Sequence, residues 1–420
     1  MHRRSVLRHL AVGGVSLALP TLSARAAAMR GSERSPSLIV LWMNGGMSQL
    51  ETWDPHPDSP GGGEVTRIPT TIPDISISSL LPQMAEQMQD CLLIRSLTSE
   101  EGDHERGAAF VRSGYRPEAG IVYPTLGAVT AHRKPVPLLD LPPYISLSPV
   151  INTPEGGYLG AAANAWRVYK PGGNLNNLNA AVSEERLDRR LQGLKLLADR
   201  FTRNRTLAVE KTLHDRMIQR SIDMMQSEQL QAFELDTEPH AVRARYGDTQ
   251  FGRGCLLARR LVESGVRTVE VTLPGFDTHI ANHEGHITQC EILDPAMSAL
   301  ISDLRDRDLL QSTIVLCISE FGRTPKINPT GGRDHWPAWF SCVVAGGGFR
   351  SGTVIGETPP GIPTQERPRP VQPVTVPELY ATVLSRLHID PAEEVFTPLG
   401  RPIKIASALP RTDLLGPAFQ

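Results

Sequence analysis

The sequence predicts an α/β fold built around one mostly parallel sheet, and three observations carry that expectation. Apolar, β-branched runs near Leu38, Leu92, Val269, Val315 and Val343 lack the alternation of half-exposed strands and read as strands buried on both faces. A helical segment long enough for a crossover separates the runs near Val269 and Val315, which implies parallel order. Gly-, Pro- and His-bearing loops follow the carboxyl ends of several runs, the edge at which open α/β sheets bind ligands.

The first residues read as an address. Arg3-Arg4-Ser5-Val6-Leu7-Arg8 is a twin-arginine run, Leu10 to Leu22 is a short apolar stretch, and Ala24-Arg25-Ala26 supplies a small-x-small cleavage pattern. Residues 1–26 are therefore expected to be a twin-arginine signal peptide, too short and too broken by Gly and Pro to span a bilayer. No later segment is long and apolar enough to cross a bilayer, so the exported mature chain is expected to be soluble or loosely attached, in the periplasm or beyond. The chain carries 43 Lys+Arg against 45 Asp+Glu, a balance that gives no electrostatic case for nucleic acid. Its five cysteines show no CxxC or zinc-knuckle spacing, and their odd number predicts no disulfide framework.

In order along the chain, Ser37 to Met43 is the first strand, and Asn44-Gly45-Gly46-Met47-Ser48-Gln49 follows it directly. Glycines at that point let backbone N–H groups approach an anion, which makes Asn44 and Ser48 candidates for anion binding. Leu80 to Gln89 reads as a short helix, Cys91 to Arg95 as a strand, and His104 to Val111 as a helix closing at Gly114. Residues from Pro135 to Asn177 are rich in Pro, Gly and Asn without periodicity and read as long loops. Ser183 to Ala232 reads as an amphipathic α-hairpin inserted into a domain of residues 35–410. The α/β pattern then returns: a helix from Phe251 to Ser264, a strand from Arg267 to Leu273 and a helix from Asp294 to Arg307. After them come the strands Thr313 to Ile318 and Phe340 to Ala345, and a last helix opened by Thr375-Val-Pro-Glu.

The chemistry-bearing residues cluster after these strands. Asp277, His279, His283 and His286 follow the strand that ends at Leu273, and this imidazole and carboxylate mixture suits a divalent metal, zinc or similar. Ser319, Glu320, Arg323, Asp334 and His335 follow the strand that ends at Ile318. His104 falls near a helix N-terminus, where donors point at an anion.

The longer motifs carry a resemblance. They run from Asn44-Gly-Gly-Met-Ser-Gln through Arg95-Ser-Leu, His104-Glu-Arg, Ser113-Gly-Tyr-Arg-Pro and Phe276-Asp-Thr-His to Glu320-Phe-Gly-Arg-Thr-Pro and Gly332-Arg-Asp-His-Trp-Pro. The chain resembles the exported bacterial family called domain of unknown function fifteen-oh-one, which in turn resembles the alkaline phosphatase and sulfatase superfamily. That resemblance implies a three-layer α/β/α sandwich and hydrolysis of phosphate or sulfate esters at a metal site. It implies Asp277, His279 or His283, Glu320 and His335 as ligands, with Asp334 beside the last. His104 stands in the place of the sulfatase nucleophile, as nucleophile or general acid/base, and Arg323 would hold the anionic group. Asn44 stands where a metal-binding Asp is usual, and Phe321 cannot ligate. The alternative is a catalytically degenerate member that binds an anionic glycan or a protein partner.

Overall fold

Nine strands share one sheet in the computed structural model, which describes residues 35–150, 155–173, 175, 182–202, 220–358 and 369–417. In chain order they are β1 (Ser37–Asn44), β2 (Cys91–Thr98), β3 (Tyr144–Leu147), β4 (Trp166–Val168) and β5 (Thr268–Pro274). β6 (Thr313–Ile318), β7 (Phe340–Gly346), β8 (Thr353–Ile355) and β9 (Val374–Thr375) complete it. Their spatial order is β8-β2-β7-β6-β1-β5-β3-β4, and β9 also pairs with β2. All five of the expected runs lie in this one sheet.

β1 lies between β5 and β6 and is parallel to both, with Trp42 opposite Thr272 on one side and Ile318 on the other. The remaining pairings are parallel as well, except that β7 runs antiparallel to β2 and β6. The reason is local. Residues 319–339 contain no helix, so no crossover carries the chain back to the start of the sheet, and it returns in the opposite sense.

Helices α1 (His104–Ser113), α2 (Leu126–Arg133), α4 (Gln250–Glu263), α5 (Asn282–Asp306) and α6 (Val376–Arg386) cover the two faces, and α3 (Glu184–Thr202) is a further helix with no buried side chain among its described residues. The side chains of β1 divide between two cores. Ile39, Leu41 and Met43 pack with Leu257 of α4 and Leu300 of α5, while Leu38, Val40 and Trp42 pack with Phe110 of α1, Val129 of α2 and Val383 of α6. The architecture is a three-layer α/β/α sandwich. Because successive side chains of a strand point to opposite faces, unbroken apolar runs are what a sheet covered on both sides requires.

Three expectations need correction. The Pro- and Gly-rich stretch from Pro135 to Asn177 is not all loop, since β3 and β4 extend one side of the sheet there. With four and three residues, these strands are too short to display a period. The helix expected from Asp294 begins twelve residues earlier, at Asn282, and runs through Pro295. Its N-cap is Ala281, with a left-handed backbone (φ 48°) and no side-chain cap, so the usual Ser/Thr/Asp/Asn start signal is missing. Leu80 to Gln89 holds only a helical turn, Pro82–Ala85, and a 3₁₀ turn, Met88–Asp90.

Of the expected hairpin, α3 and a further helical stretch over residues 220–226 are described, and 203–219 lie outside the described residues. Leu196 and Leu197 of α3 stand largely in solvent. The expected signal peptide also lies outside the described residues. No helix among those described is long and apolar enough to cross a membrane. All five cysteines are free and buried, and burial pushes the thiol of each one up.

Candidate functional site

Three loops meet over the carboxyl ends of β1, β5 and β6, and glycines let them approach. Gly45, at φ 116°, sits so close to the β5 loop that a Cβ there would come within 2.4 Å of the Asp277 backbone nitrogen. A Cβ on Gly332 would meet the His279 carbonyl oxygen at 1.9 Å. The chain between β6 and β7 folds into a small antiparallel ladder, Gly322–Arg323 with His335–Trp336, which presents His335 beside the β5 loop. α1 brings His104 to the same place. Its N-cap, Asp103, accepts from the Glu105 and Arg106 backbone N–H groups at 3.0 and 3.1 Å.

Three imidazoles surround one carboxylate. The Nε2 atoms of His104, His279 and His335 lie 3.3, 3.2 and 3.5 Å from the carboxylate oxygens of Asp277. Each ring is fixed from behind by an oxygen. His104 Nδ1 lies 2.9 Å from Glu320 Oε1, His279 Nδ1 lies 3.1 Å from Asp334 Oδ1, and His335 Nδ1 lies 2.8 Å from the Gly102 carbonyl oxygen. An oxygen acceptor at Nδ1 places the ring proton there and leaves the Nε2 lone pair facing inward. The Nε2 atoms of His279 and His335 are only 3.0 Å apart. At that separation the two nitrogens share a proton or have a cation between them. His104 Nε2 is buried without a hydrogen-bond partner.

The electrostatics follow from these contacts. The hydrogen bond to Glu320 holds the His104 pKa above the ordinary imidazole value, whereas burial pushes His335 down. Burial pushes the Asp277 carboxyl up, but the hydrogen bond and charge of Arg323 outweigh it and hold the group below the usual carboxylate range.

The expected site residues divide into three groups. His104, Asp277 and His335 bring possible ligand atoms within 4.8 Å of one another, and His279 joins them through its contacts with Asp277 and His335. Glu320 and Asp334 stand behind the ring as acceptors for His104 and His279, and Glu320 Oε1 also accepts from the Gly45 backbone N–H at 2.9 Å. His283 falls in the first turn of α5, outside this group. His286 is fully buried, with Nδ1 donating to the Asn282 carbonyl at 2.8 Å and Nε2 accepting from the Ser48 backbone N–H at 2.9 Å. That contact uses the Ser48 N–H for packing, and the Ser48 side chain is itself buried.

Arg323 is placed differently from the expectation. Its side chain is fully buried, and its guanidinium donates to the carbonyls of Gly45, Gly46 and Arg333 and to Asp277 Oδ1 at 2.6 Å. It ties the β1 loop to the β5 loop from below. Arg333 does the same on the next layer, gripping Glu51 at 2.7 Å and the carbonyls of Gly61, Thr324 and Pro325.

The cavity beside the cluster has a volume of about 260 Å³ and is lined by Asn44, Gly45, His104, Glu105, Ala108, Arg112, Gly275, Asp277 and Glu320. Arg112 is the residue the sequence reading missed. It follows His104 by eight residues, two helical turns, on the same face of α1. That spacing is the signal that could have found it.

The donor set fits a single divalent cation of the zinc type. The ligand atoms that all lie within 4.8 Å of one another belong to His104, Asp277 and His335, a mixed nitrogen and oxygen set of the kind zinc accepts, and oxygen acceptors behind each ring are what orients ligating histidines. His104 Nε2 makes no hydrogen bond and faces this same centre, 3.3 Å from Asp277 Oδ2.

A family model described as "Protein of unknown function (DUF1501)" matches residues 35–414. No curated protein matches the sequence. Similar solved structures include the lipoteichoic acid synthase LtaP from Listeria monocytogenes, at 8% identity and TM-score 0.41 over 86% of this chain and 74% of that one. The PsFucS1 sulfatase from Pseudoalteromonas sp. aligns at 11% identity and TM-score 0.37 over 88% and 72%. The C-terminal periplasmic domain of EcEptC from Escherichia coli, solved in complex with Zn, aligns at 10% and 0.39 over 93% and 97%. Likenesses at these scores carry no weight for activity or substrate.

Proposed function

We propose that this chain, which belongs to the DUF1501 family, is a metal-dependent hydrolase of phosphate or sulfate esters that works outside the cytoplasm. The observation that carries the reading is the convergence of three Nε2 atoms on the Asp277 carboxylate, each ring fixed through Nδ1. Asp277, His104, His279 and His335 would hold the ion, and a divalent ion there supplies Lewis acidity toward an ester oxygen and toward water. In this reading His104 belongs to the ligand set rather than acting as nucleophile.

The other residues have supporting parts. Glu320, Asp334 and the Gly102 carbonyl keep the Nδ1 protons in place, so the lone pairs stay directed inward. Arg323 keeps Asp277 ionised and aimed at the cluster. Asn44 lines the cavity, and its Oδ1 is taken by the Trp42 indole N–H at 3.3 Å, which leaves the amide N–H₂ to donate to an anionic ester. Residues 1–26 direct export by the twin-arginine route, and replacing Arg3 and Arg4 by Lys leaves the precursor uncleaved in the cytoplasm.

The test is element analysis of the purified mature chain, followed by hydrolysis of an aryl phosphate and an aryl sulfate before and after a chelator. One equivalent of bound metal with chelator-sensitive hydrolysis supports the reading; metal-free protein without turnover ends it. One observation favours a second reading, a degenerate member that binds an anionic glycan or a protein partner: no hydroxyl or thiol side chain lines the cavity among the described residues. Bound metal without turnover of either ester selects that second reading.

A further inference from the structure

The cavity does not end at the imidazole cluster. It is lined along α1 by His104, Ala108 and Arg112, which succeed one another at four-residue steps. The Cα positions of His104 and Arg112 are therefore separated by about 12 Å along the helix axis. Ala108, between them, adds only a methyl group to the cavity wall.

Arg112 differs from the other two arginines near the site. Arg323 and Arg333 use their donors on backbone carbonyls and carboxylates and are fully buried, as parts of the scaffold. Arg112 makes one hydrogen bond, from Nη2 to Glu270 Oε1 at 2.7 Å. Its guanidinium carbon lies over the Trp42 ring, 4.1 Å from the centroid. Its Nε is buried without a partner. A guanidinium carries five N–H donors in a fixed fork, so this one is held in place by Glu270 and Trp42 with most of its donors unspent, in the wall of a cavity. Glu270 is itself buried in the middle of β5 and takes a second contact, from the Tyr144 hydroxyl at 3.4 Å. The pair is therefore anchored on its sheet side, and Arg112 lines the cavity.

We propose that Arg112, positioned by Glu270 and Trp42, forms a subsite for a second anionic group of the substrate, at the far end of the cavity from the imidazole cluster. The substrate class that follows is an ester whose other end carries a carboxylate, sulfate or phosphate roughly 10 Å from the reacting group, a distance set by two helical turns. Arg112 is a specificity-determining residue here and touches no reacting atom. This inference rests on the ester-hydrolase reading of the cluster.

The test uses two non-hydrolysable probes of equal length, a straight-chain alkyl sulfonate ending in a carboxylate and the same chain ending in a hydroxyl. Their dissociation constants are measured by calorimetry on the zinc-loaded protein. The wild type should bind the carboxylate-ended probe at least tenfold more tightly. The double variant Arg112→Met with Glu270→Gln, which leaves no buried charge unpaired, should bind the two probes alike while its zinc content stays unchanged. Should that variant not fold, Arg112→Lys keeps a cation beside Glu270 and carries the same test, with the preference falling several-fold. A wild type that binds both probes equally overturns the subsite and leaves the hydrolase reading standing, as does a preference that survives in the variants. A zinc-loaded wild type that binds neither probe overturns both.

Discussion

Replacing Arg323 by Ala should damage the fold and the metal centre together, because this side chain holds the loops that carry the ligands. Its guanidinium is the hydrogen-bond donor to the buried carbonyls of Gly45, Gly46 and Arg333 and to the Asp277 carboxylate. Each buried acceptor left without a donor costs about 1–3 kcal/mol. Water entering the vacated space recovers part of that cost, so the net loss from the three carbonyls is about 3–5 kcal/mol. Asp277 loses the partner that fixes its carboxylate, and losing such a support typically weakens metal binding by about 10–100-fold. Arg323→Lys keeps the charge but not the planar fork, and three ammonium donors cannot reach acceptors set around a guanidinium. It should lose about 2 kcal/mol or more. Equilibrium urea denaturation measures the first quantity, and zinc titration against a competing chelator the second. Wild-type stability with wild-type zinc affinity in Arg323→Ala would refute the reasoning, since it would mean that neither the carbonyls nor Asp277 depends on this side chain.

Three further outcomes are expected. Gly45→Ala must place a Cβ 2.4 Å from the Asp277 nitrogen at φ 116°; backbone strain and overpacking together cost about 2–5 kcal/mol, and zinc content should fall with stability in the same preparation. His335→Ala and His279→Ala should each lower zinc affinity by orders of magnitude, whereas His283→Ala should leave it unchanged; a loss in the His283 variant would move the site toward α5. Away from the centre, burial pushes the Asp303 carboxyl up, but Arg259 and Arg307 outweigh it and hold it below its usual value. A carboxyl depressed in the folded state binds fewer protons there than in the unfolded chain. Its contribution is present above about pH 4 and is lost as pH falls through the folded value. Thermal melts across pH should show that acid loss in the wild type, and Asp303→Asn should be less stable at neutral pH with a shallower fall in acid.

The sequence was most legible where local chemistry and tertiary context agree. β1 and β6 announce themselves because a strand covered on both faces needs apolar side chains at every position. α1 ends at Gly114 because the backbone turns left-handed there, at φ 71°. α6 begins where expected because Thr375 and Glu378 form a capping box around its first turn. β3 and β4 were not legible, since their place in the sheet comes from pairing with β5 rather than from any pattern of their own. The site followed the same division. Residues at the carboxyl ends of β5 and β6 were foreseeable from strand position, and the structure brings Asp277, His279 and His335 together. Which arginine faces the cavity was not foreseeable. Arg323 and Arg112 are the same residue type near the same strand ends, and only the packing of Gly45 and Gly46 over one and of Trp42 under the other separates scaffold from cavity wall.

The five buried thiols make the chain its own opening sensor. They lie on β2, α4, α5, β6 and β7, so together they sample the helical layer of α4 and α5 and the middle of the sheet. A thiol with no solvent contact cannot meet an oxidant or an alkylating reagent until its element parts from its neighbours. Labelling rates at the five positions therefore report the free energy of opening element by element. If the sheet opens as a unit, Cys91, Cys317 and Cys342 should react in step. In an oxidising compartment the same arrangement makes folding a race: once the core has closed, disulfide chemistry can no longer reach these sulfurs.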